Sequence, residues 1–245
     1  MSRPSETDKQ QALGKEGGVA SVERALSILD ALTDERISLA ELSKRTGLYK
    51  STVLRLAKSL ERFGYVQRTV EGNYRLGSKV FLLGSLYQRH FRTSEIVPPV
   101  LRLIVDELHE GASFYIVDGD HRVILHRVEA SRSVRHAVQE GDQLSMTHGA
   151  SGHVLRAFGG QPGERFDRIR AAMYAASYGE RDPETAAIAV PVFGHGDQLS
   201  GALTVSGPRY RIEELGEARI VPVLFRHAQA LTKTMGGDPT LFRGP

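Results

Sequence analysis

The clearest pattern of hydrophobic and polar positions lies between Ser38 and Phe63. In its second half, apolar side chains recur at i, i+3, i+4, i+7 and i+10, a spacing that predicts a helix with one buried face. These positions are Val53, Leu56, Ala57, Leu60 and Phe63. A shorter helix is predicted before it, because Ser38 and Glu41 form a capping-box pattern at its start. Gly47 suits the end of that helix.

Polar, hydroxyl and cationic side chains occupy the outer face of the second helix. They are Lys50, Ser51, Thr52, Arg55, Ser59 and Arg62. Two helices joined by a turn this short are typical of a helix-turn-helix, whose second helix enters the major groove of DNA with its N-terminal residues toward base edges. An ordinary amphipathic hairpin with a solvated charged face would show the same spacing.

A small β-hairpin is predicted directly after the second helix. Residues 64–69 and 74–77 alternate like strands, and Glu71-Gly72-Asn73 is a turn signal between them. A hairpin in this place is typical of a wing. Arg68 and Arg75 flank its tip, where cations can contact phosphates and fix the register of a protein on DNA.

Charge is divided unevenly along the chain. Residues 1–92 carry 16 Lys and Arg against 10 Asp and Glu, whereas residues 93–245 carry 16 against 19. Clustered bases supply the salt-dependent part of DNA affinity. Between residues 44 and 75 the basic side chains are Lys44, Arg45, Lys50, Arg55, Lys58, Arg62, Arg68 and Arg75. The predicted DNA-binding set is Ser38, Lys50, Ser51, Thr52, Arg55, Lys58, Arg68 and Arg75.

The second half of the chain changes rhythm from helices to strands. Ala112–Val117 and His121–Val128 predict one hairpin, residues 134–138 are a further strand candidate, and residues 185–193 and 199–206 predict a second hairpin. Helices are predicted between the hairpins and over residues 211–235. This order favours an α+β domain, with an antiparallel sheet covered by helices.

Two further helices are expected outside these elements. An apolar period from Val22 to Leu32 predicts a first helix that packs on the helix-turn-helix. Residues 78–91 predict another, apolar on several sides, which must be buried against something. It either connects the two domains or packs on its own wing domain. Pro98 and Pro99 then fit the first turn of the next helix.

Five motifs of the first half, Ala20–Leu29, Leu39–Gly47, Lys50–Arg55, Gly64–Val66 and Tyr74–Gly77, resemble the winged helix-turn-helix of the IclR family of bacterial transcriptional regulators. The similarity continues in order from Val19 to Gly236. It implies a linker helix that helps subunits dimerise and a GAF-like effector-binding domain. The expected organisation is a disordered arm (1–18), a winged helix-turn-helix (19–77), a linker helix (78–92), the effector-binding domain (93–237) and a tail (238–245).

The glycine- and hydroxyl-rich loop Gly141–Gly152 is the candidate effector site. It leads into a helix predicted from His153, whose free N–H groups would attract an anion, with Ser151 and Thr147 as additional donors. The resemblance implies that this loop and a late strand line the pocket. The implied residues are Leu144, Met146, Ala150, Ser151, Gly152, Thr204 and Ser206. The effector would carry a carboxylate, on an aromatic or a short organic acid. A tight structural turn before a capped helix is the alternative.

Two histidines depart from the family pattern in this loop. His153 replaces the usual lysine, and His148 replaces a small residue, so both could orient a carboxylate or make binding depend on pH. Together with His126 and His136 they match no metal-ligand spacing, so we predict neither metal nor cofactor. The ordinary interpretation is that backbone or solvent satisfies them.

The sequence lacks the motifs that would indicate other classes of function. The chain has no cysteine, no apolar run near the roughly 20 residues of a membrane span and no signal-peptide core, which favours the cytoplasm. It lacks a Gly-x-Ser-x-Gly elbow and a phosphate loop, so we expect no enzyme. We predict a ligand-responsive regulator that binds a pseudo-palindromic operator in double-stranded DNA as a homodimer or a dimer of dimers. A DNA-binding head fused to a catalytic domain and an architectural DNA binder are the alternatives.

Overall fold

The computed structural model describes residues 18–33, 36–90, 93–131 and 138–242, apart from the side chains of residues 87–90. The chain divides into two compact units, Met1–His90 and Phe91–Pro245. Nearly all of the predicted arm, the end of the linker, the end of the tail and residues 134–137 of the strand candidate lie outside the described residues, as does His136.

The first unit is a three-helix core followed by a hairpin and a fourth helix. Its elements are α1 (Ala20–Asp30), α2 (Leu39–Thr46), α3 (Lys50–Arg62), β1 (Val66–Arg68), β2 (Tyr74–Leu76) and α4 (Ser78–His90). The strands pair antiparallel with Gln67 opposite Arg75, and Ile37 bridges to Tyr74 at the outer side of β2. The predicted helix-turn-helix and wing are therefore confirmed.

Burial in the first unit differs from the predicted pattern at three positions. The buried residues of α1 and its end are Ile28 and Leu32, one turn apart, whereas Val22 and Leu26 are 53% and 52% exposed on the adjacent side of the helix. Phe63 was expected on the buried face of α3 but is 64% exposed, since α3 ends at Arg62 and the chain turns away there. The interior of α3 is held by Val53 and Ala57, as predicted.

The second unit is an antiparallel sheet with helices on both faces. Its elements are α5 (Val97–Leu108), β3 (Gly111–Asp118), β4 (His121–Val128), β5 (Gln143–Ser145), α6 (Ala150–Phe158), α7 (Glu164–Ala172), β6 (Ala175–Tyr178), β7 (Thr185–Phe193), β8 (Leu199–Pro208), α8 (Arg209–Leu215) and α9 (Glu217–Thr234). The strand order is β5-β4-β3-β8-β7-β6, with every pair antiparallel. The predicted α+β class is confirmed.

Alternating side chains of the sheet feed two separate cores. Phe114 and Ile116 of β3 join the cluster formed with α5 and α9, whereas Tyr115 between them joins the cluster formed with α6 and α7. A strand places successive side chains on opposite faces, so period-two alternation explains this division. The layer between the sheet and α6 is where the candidate effector loop lies.

Three local predictions in the second unit need correction. The single closing helix is two helices, because Gly216 adopts φ +70° and ψ 158°, a conformation that favours glycine and interrupts a helix. The loop at residues 141–152 contains the short strand β5. Helix α6 begins at Ala150 rather than His153, so Ala150, Ser151 and Gly152 form its first turn.

The helices are short or interrupted. In the described parts of both units the longest is α9, with 18 residues and Pro222 inside it. Within those same parts, no helix combines the length and the apolar character required to cross a bilayer.

Candidate nucleic-acid interface and effector pocket

The turn of the helix-turn-helix is fixed by local hydrogen bonds. The Ser38 hydroxyl accepts the Glu41 N–H at 3.2 Å and caps α2, as predicted. Glu41 does not return the bond; its carboxylate accepts from Arg45 at 3.0 Å. Gly47 ends α2 in the left-handed conformation, and the Ser43 hydroxyl donates to the Leu48 carbonyl at 2.6 Å across the turn. The start of α3 therefore has a defined orientation relative to α2.

The predicted reading face of α3 is exposed. Ser51, Arg55 and Lys58 follow one another at i, i+4 and i+7 and are exposed, as is Lys50, while Thr52 is half-buried. Of the cations, Lys50, Arg55 and Lys58 form no ion pair with a described residue. They are therefore available to an external polyanion.

The two wing arginines are exposed but held in place. The Arg75 guanidinium donates to Gln67 Oε1 through Nε and Nη2, at 3.1 and 2.9 Å, across the strand pair. The Arg68 guanidinium carbon lies 5.8 Å from the centroid of the Tyr74 ring. These contacts orient both cations on the hairpin and leave them open to solvent, as a phosphate contact requires.

A small cavity lies between the sheet and the N-terminus of α6. Its volume is about 30 Å³. Five predicted residues line it: Leu144, Ala150, Ser151, Thr204 and Ser206. Met146 packs against the adjoining core, and Gly152 adjoins the Arg122 guanidinium, so neither belongs to the lining. Thr204 and Ser206 face the same side of β8, as the alternation predicted.

A carboxylate of the chain itself caps α6. Glu180 Oε2 accepts the Gly149 N–H at 2.9 Å and lies 2.5 Å from His153 Nε2, and Oε1 accepts from Arg165 at 3.0 Å. Burial raises the pKa of Glu180, but these hydrogen bonds lower the pKa by more than burial raises it. The pKa of Glu180 is therefore below its ordinary value. The helix N-terminus, where an anion was predicted, is thus already occupied by Glu180.

The histidines differ from one another in their surroundings. His153 is buried against Glu180 rather than satisfied by backbone or solvent, and burial lowers its pKa despite that partner. His148 is exposed beside the Thr147 hydroxyl, at 2.8 Å. His126 is buried 2.9 Å from the Thr93 hydroxyl, and burial lowers its pKa. In the part of the chain that the structure covers, no three metal-ligating side chains cluster.

Arg122 is one of several cavity residues that the sequence did not predict. It is 3% exposed, donates to the Ser145 carbonyl, and its guanidinium carbon lies 5.7 Å from the Tyr115 ring centroid. A Cβ at Gly152 would lie 2.5 Å from Arg122 Nη1 and 2.6 Å from the Met146 carbonyl oxygen. The glycine therefore gives the guanidinium its space. A signal existed, since Arg122 shares its strand face with the buried Ile124.

Comparison with known proteins identifies both units. Residues 21–69 match the model of the IclR helix-turn-helix domain, and residues 163–233 match that of the bacterial transcriptional regulator IclR C-terminal domain. The chain belongs to the IclR family. Members of this family are DNA-binding transcriptional regulators and not enzymes, so the regulator and non-enzyme predictions are confirmed.

Individual IclR-family relatives resemble the chain over most of its length. The DNA-binding transcriptional repressor YiaJ of Escherichia coli is 26% identical, across 94% of this chain and 93% of the relative. The Thermotoga maritima IclR structure superposes with a TM-score of 0.71 at 22% identity, covering 88% of this chain and 98% of that one. An IclR homologue of Microbacterium hydrocarbonoxydans, solved with 4-hydroxybenzoate, gives 0.72 at 18%, covering 88% and 99%. At these identities the structures show the shared fold.

Proposed function

We propose that this IclR-family regulator binds a pseudo-palindromic operator and that an organic acid, bound between the sheet and α6, changes operator binding. The observation that carries the proposal is the exposed cationic face of α3 beside the ordered wing arginines, joined in one chain to a domain with a small cavity that contains several hydroxyl groups. The bound 4-hydroxybenzoate in the Microbacterium homologue supports an organic acid as the class of effector.

The DNA contacts are assigned by position. Lys50, Ser51, Thr52 and Arg55 stand at the N-terminal half of α3 and contact base edges or adjacent phosphates. Lys58, Arg68 and Arg75 contact phosphates, and the Ser38 cap fixes the start of α2 beside them. The effector site comprises the predicted loop and β8 residues, namely Leu144, Met146, Ala150, Ser151, Gly152, Thr204 and Ser206.

A dimer or a dimer of dimers places two α3 helices on a two-fold symmetric operator. Exposed apolar side chains on α4 support such association, because soluble chains rarely leave apolar clusters uncovered. They are Phe81, Leu82, Leu83 and Leu86. The effector acts by binding one arrangement of the DNA-binding units better than another, which changes their populations.

Fluorescence anisotropy with DNA from the upstream intergenic region tests the proposal. At physiological salt we expect that fragment to bind about a thousandfold more tightly than scrambled DNA, and an organic acid to shift the affinity. Equal binding to both DNAs would indicate an architectural binder. Turnover of an added acid by the second unit would indicate a catalytic domain.

A further inference from the structure

Arg122 is a buried cation in no direct ion pair with a described residue, and the Glu180 carboxylate acts on it only at longer range. Its only hydrogen bond is to the Ser145 carbonyl, and it forms no ion pair with any residue that the structure describes. Its Nε has no hydrogen-bond partner in the same part of the chain. Burial lowers the pKa of the guanidinium, which reflects the cost of this charge. A buried charge left without a partner is strongly unfavourable, so an anion placed beside Nε would be strongly stabilised.

The other charged groups of the cavity also favour an anion. Arg181 lines it as a second guanidinium, and the carboxylate of Glu180 already accepts from Gly149 and Arg165 and lies against His153 Nε2. The position of Glu180 at the α6 N-terminus leaves Arg122 as the group that meets an incoming carboxylate. The Nε and Nη2 edge of a guanidinium can bind both oxygens of a carboxylate at once.

Six hydroxyl groups lie among the rest of the lining residues. They belong to Tyr115, Ser151, Ser177, Thr185, Thr204 and Ser206. The Thr204 hydroxyl is buried and has no hydrogen-bond partner among the described residues. Hydroxyls both donate and accept, so they match ligand hydroxyls better than an aromatic ring. The apolar lining is limited to Leu144 and three alanines, Ala150, Ala186 and Ala187, and Arg122 lies over the Tyr115 ring.

The small volume of the cavity also favours a small ligand. A cavity of about 150 Å³ accommodates benzene, whereas this one measures about 30 Å³. Either kind of acid must displace part of the wall, and a three-carbon acid displaces less of it than an aromatic acid.

We propose that Arg122 binds the carboxylate of the effector and that the effector is a short aliphatic acid bearing hydroxyl groups. This assignment rests on the proposed function and narrows its ligand class. Thr204 and Ser151 bind the ligand hydroxyls, and Gly149 and Gly152 hold the guanidinium in place from the α6 side.

Four probes separate charge, hydroxyl and ring in isothermal titration calorimetry with the full chain. Glycerate carries the carboxylate and hydroxyls, propionate the carboxylate alone, glycerol the hydroxyls alone, and 4-hydroxybenzoate a ring. We expect glycerate to bind at least about tenfold more tightly than propionate, since one or two hydrogen bonds are worth that much, and glycerol not to bind. Tighter binding of 4-hydroxybenzoate than of glycerate, or no binding of glycerate, overturns the ligand class.

Variants of Arg122 test the anchor. Arg122→Met should abolish glycerate binding while the thermal midpoint of the ligand-free protein holds or rises, because an unpaired buried charge is removed. Arg122→Lys should keep weakened binding, since it retains the charge but not the paired N–H edge. Arg168→Met, on the exposed side of α7, is the control that should change neither property. Unchanged glycerate affinity in Arg122→Met or Arg122→Lys would overturn the assignment of Arg122 as the residue that binds the carboxylate.

The DNA assay distinguishes this failure from failure of the proposed function. If another acid, such as 4-hydroxybenzoate, shifts operator affinity equally in the wild type and Arg122→Met, the regulator senses an acid but Arg122 does not bind it. If no acid shifts operator affinity, ligand sensing itself is overturned, and this assignment is overturned with it.

Discussion

The two units of this regulator use their cations in opposite ways. On α3 the cations are exposed and have no acidic partner among the described residues. In the second unit, buried arginines lie against carboxylates, such as Arg211 against Glu110 and Arg127 against Glu129. Arg122 differs, because it forms no ion pair with a described residue. Exposed charge costs little and remains available for DNA, whereas buried charge requires a partner. A buried cation that forms no ion pair with a described residue is therefore the position at which we propose a ligand carboxylate.

Breaking a buried ion pair should give the largest loss of stability that this contrast predicts. Arg211 donates to Glu110 through Nε and Nη2, at 2.5 and 3.0 Å, and the two side chains are 10% and 2% exposed. Glu110→Ala leaves the guanidinium buried without its carboxylate, which costs about 3–5 kcal/mol. Urea denaturation followed by circular dichroism measures the free energy of unfolding.

An exposed pair serves as the control for Glu110→Ala. Glu164 lies 3.8 Å from Arg168 on the surface of α7, and its replacement by alanine should cost less than about 1 kcal/mol. Equal losses in the two variants would contradict the contrast between buried and exposed charge.

Removing one cation from the reading face should affect DNA binding without affecting the fold. Arg55→Ala should cost about 1–3 kcal/mol of operator affinity and relax sequence preference if its side chain reads a base. Arg68→Ala should instead weaken binding to all sequences alike and lower the salt slope by about 1. Anisotropy titrations with operator and scrambled DNA at several salt concentrations measure both. Unchanged sequence preference in Arg55→Ala would rule out base reading.

Acid should weaken the effector unit through its buried histidines. Burial lowers the pKa of His126 and His153, so the unfolded chain binds more protons than the folded chain as pH falls below the ordinary histidine value. Stability present at pH 7 is then lost toward pH 5, by at most about 1.4 kcal/mol per pH unit for each histidine. Denaturation at a series of pH values measures the slope.

His126 and its hydrogen-bond partner Thr93 provide a matched pair of variants. His126→Gln removes the titrating group and should flatten the pH slope. Thr93→Val removes only the 2.9 Å contact with the imidazole and should leave most of the slope in place. A slope that His126→Gln does not change would assign the pH dependence to other groups.

The helix cap of the DNA-binding unit gives the smallest expected effect. Ser38→Ala removes the acceptor for the Glu41 N–H and should cost about 1 kcal/mol of stability in that unit. Ser38→Asp retains an acceptor and should lose much less. Thermal unfolding compares the two variants, and equal midpoints for Ser38→Ala and wild type would show that the cap contributes nothing.

The sequence was most informative where structure depends on neighbours along the chain. The period that buries Val53 and Ala57, the Ser38 cap and the alternation that pairs Thr204 with Ser206 were all readable from local spacing. The cavity was not, because Glu180 reaches Gly149 across 31 residues and Arg122 reaches Ser145 across 23. Contacts of that kind depend on the order of strands in the sheet. No local pattern specifies that order.

The close fit between Gly152 and Arg122 also constrains how this pocket can evolve. Any side chain at position 152 would collide with both the guanidinium and the Met146 carbonyl oxygen, so glycine is required there even when residue 122 is shortened. Shortening residue 122 vacates space that a larger ligand, rather than a side chain at 152, can fill. Position 122, with glycine kept at 152, is therefore the starting point for retuning the regulator as a biosensor.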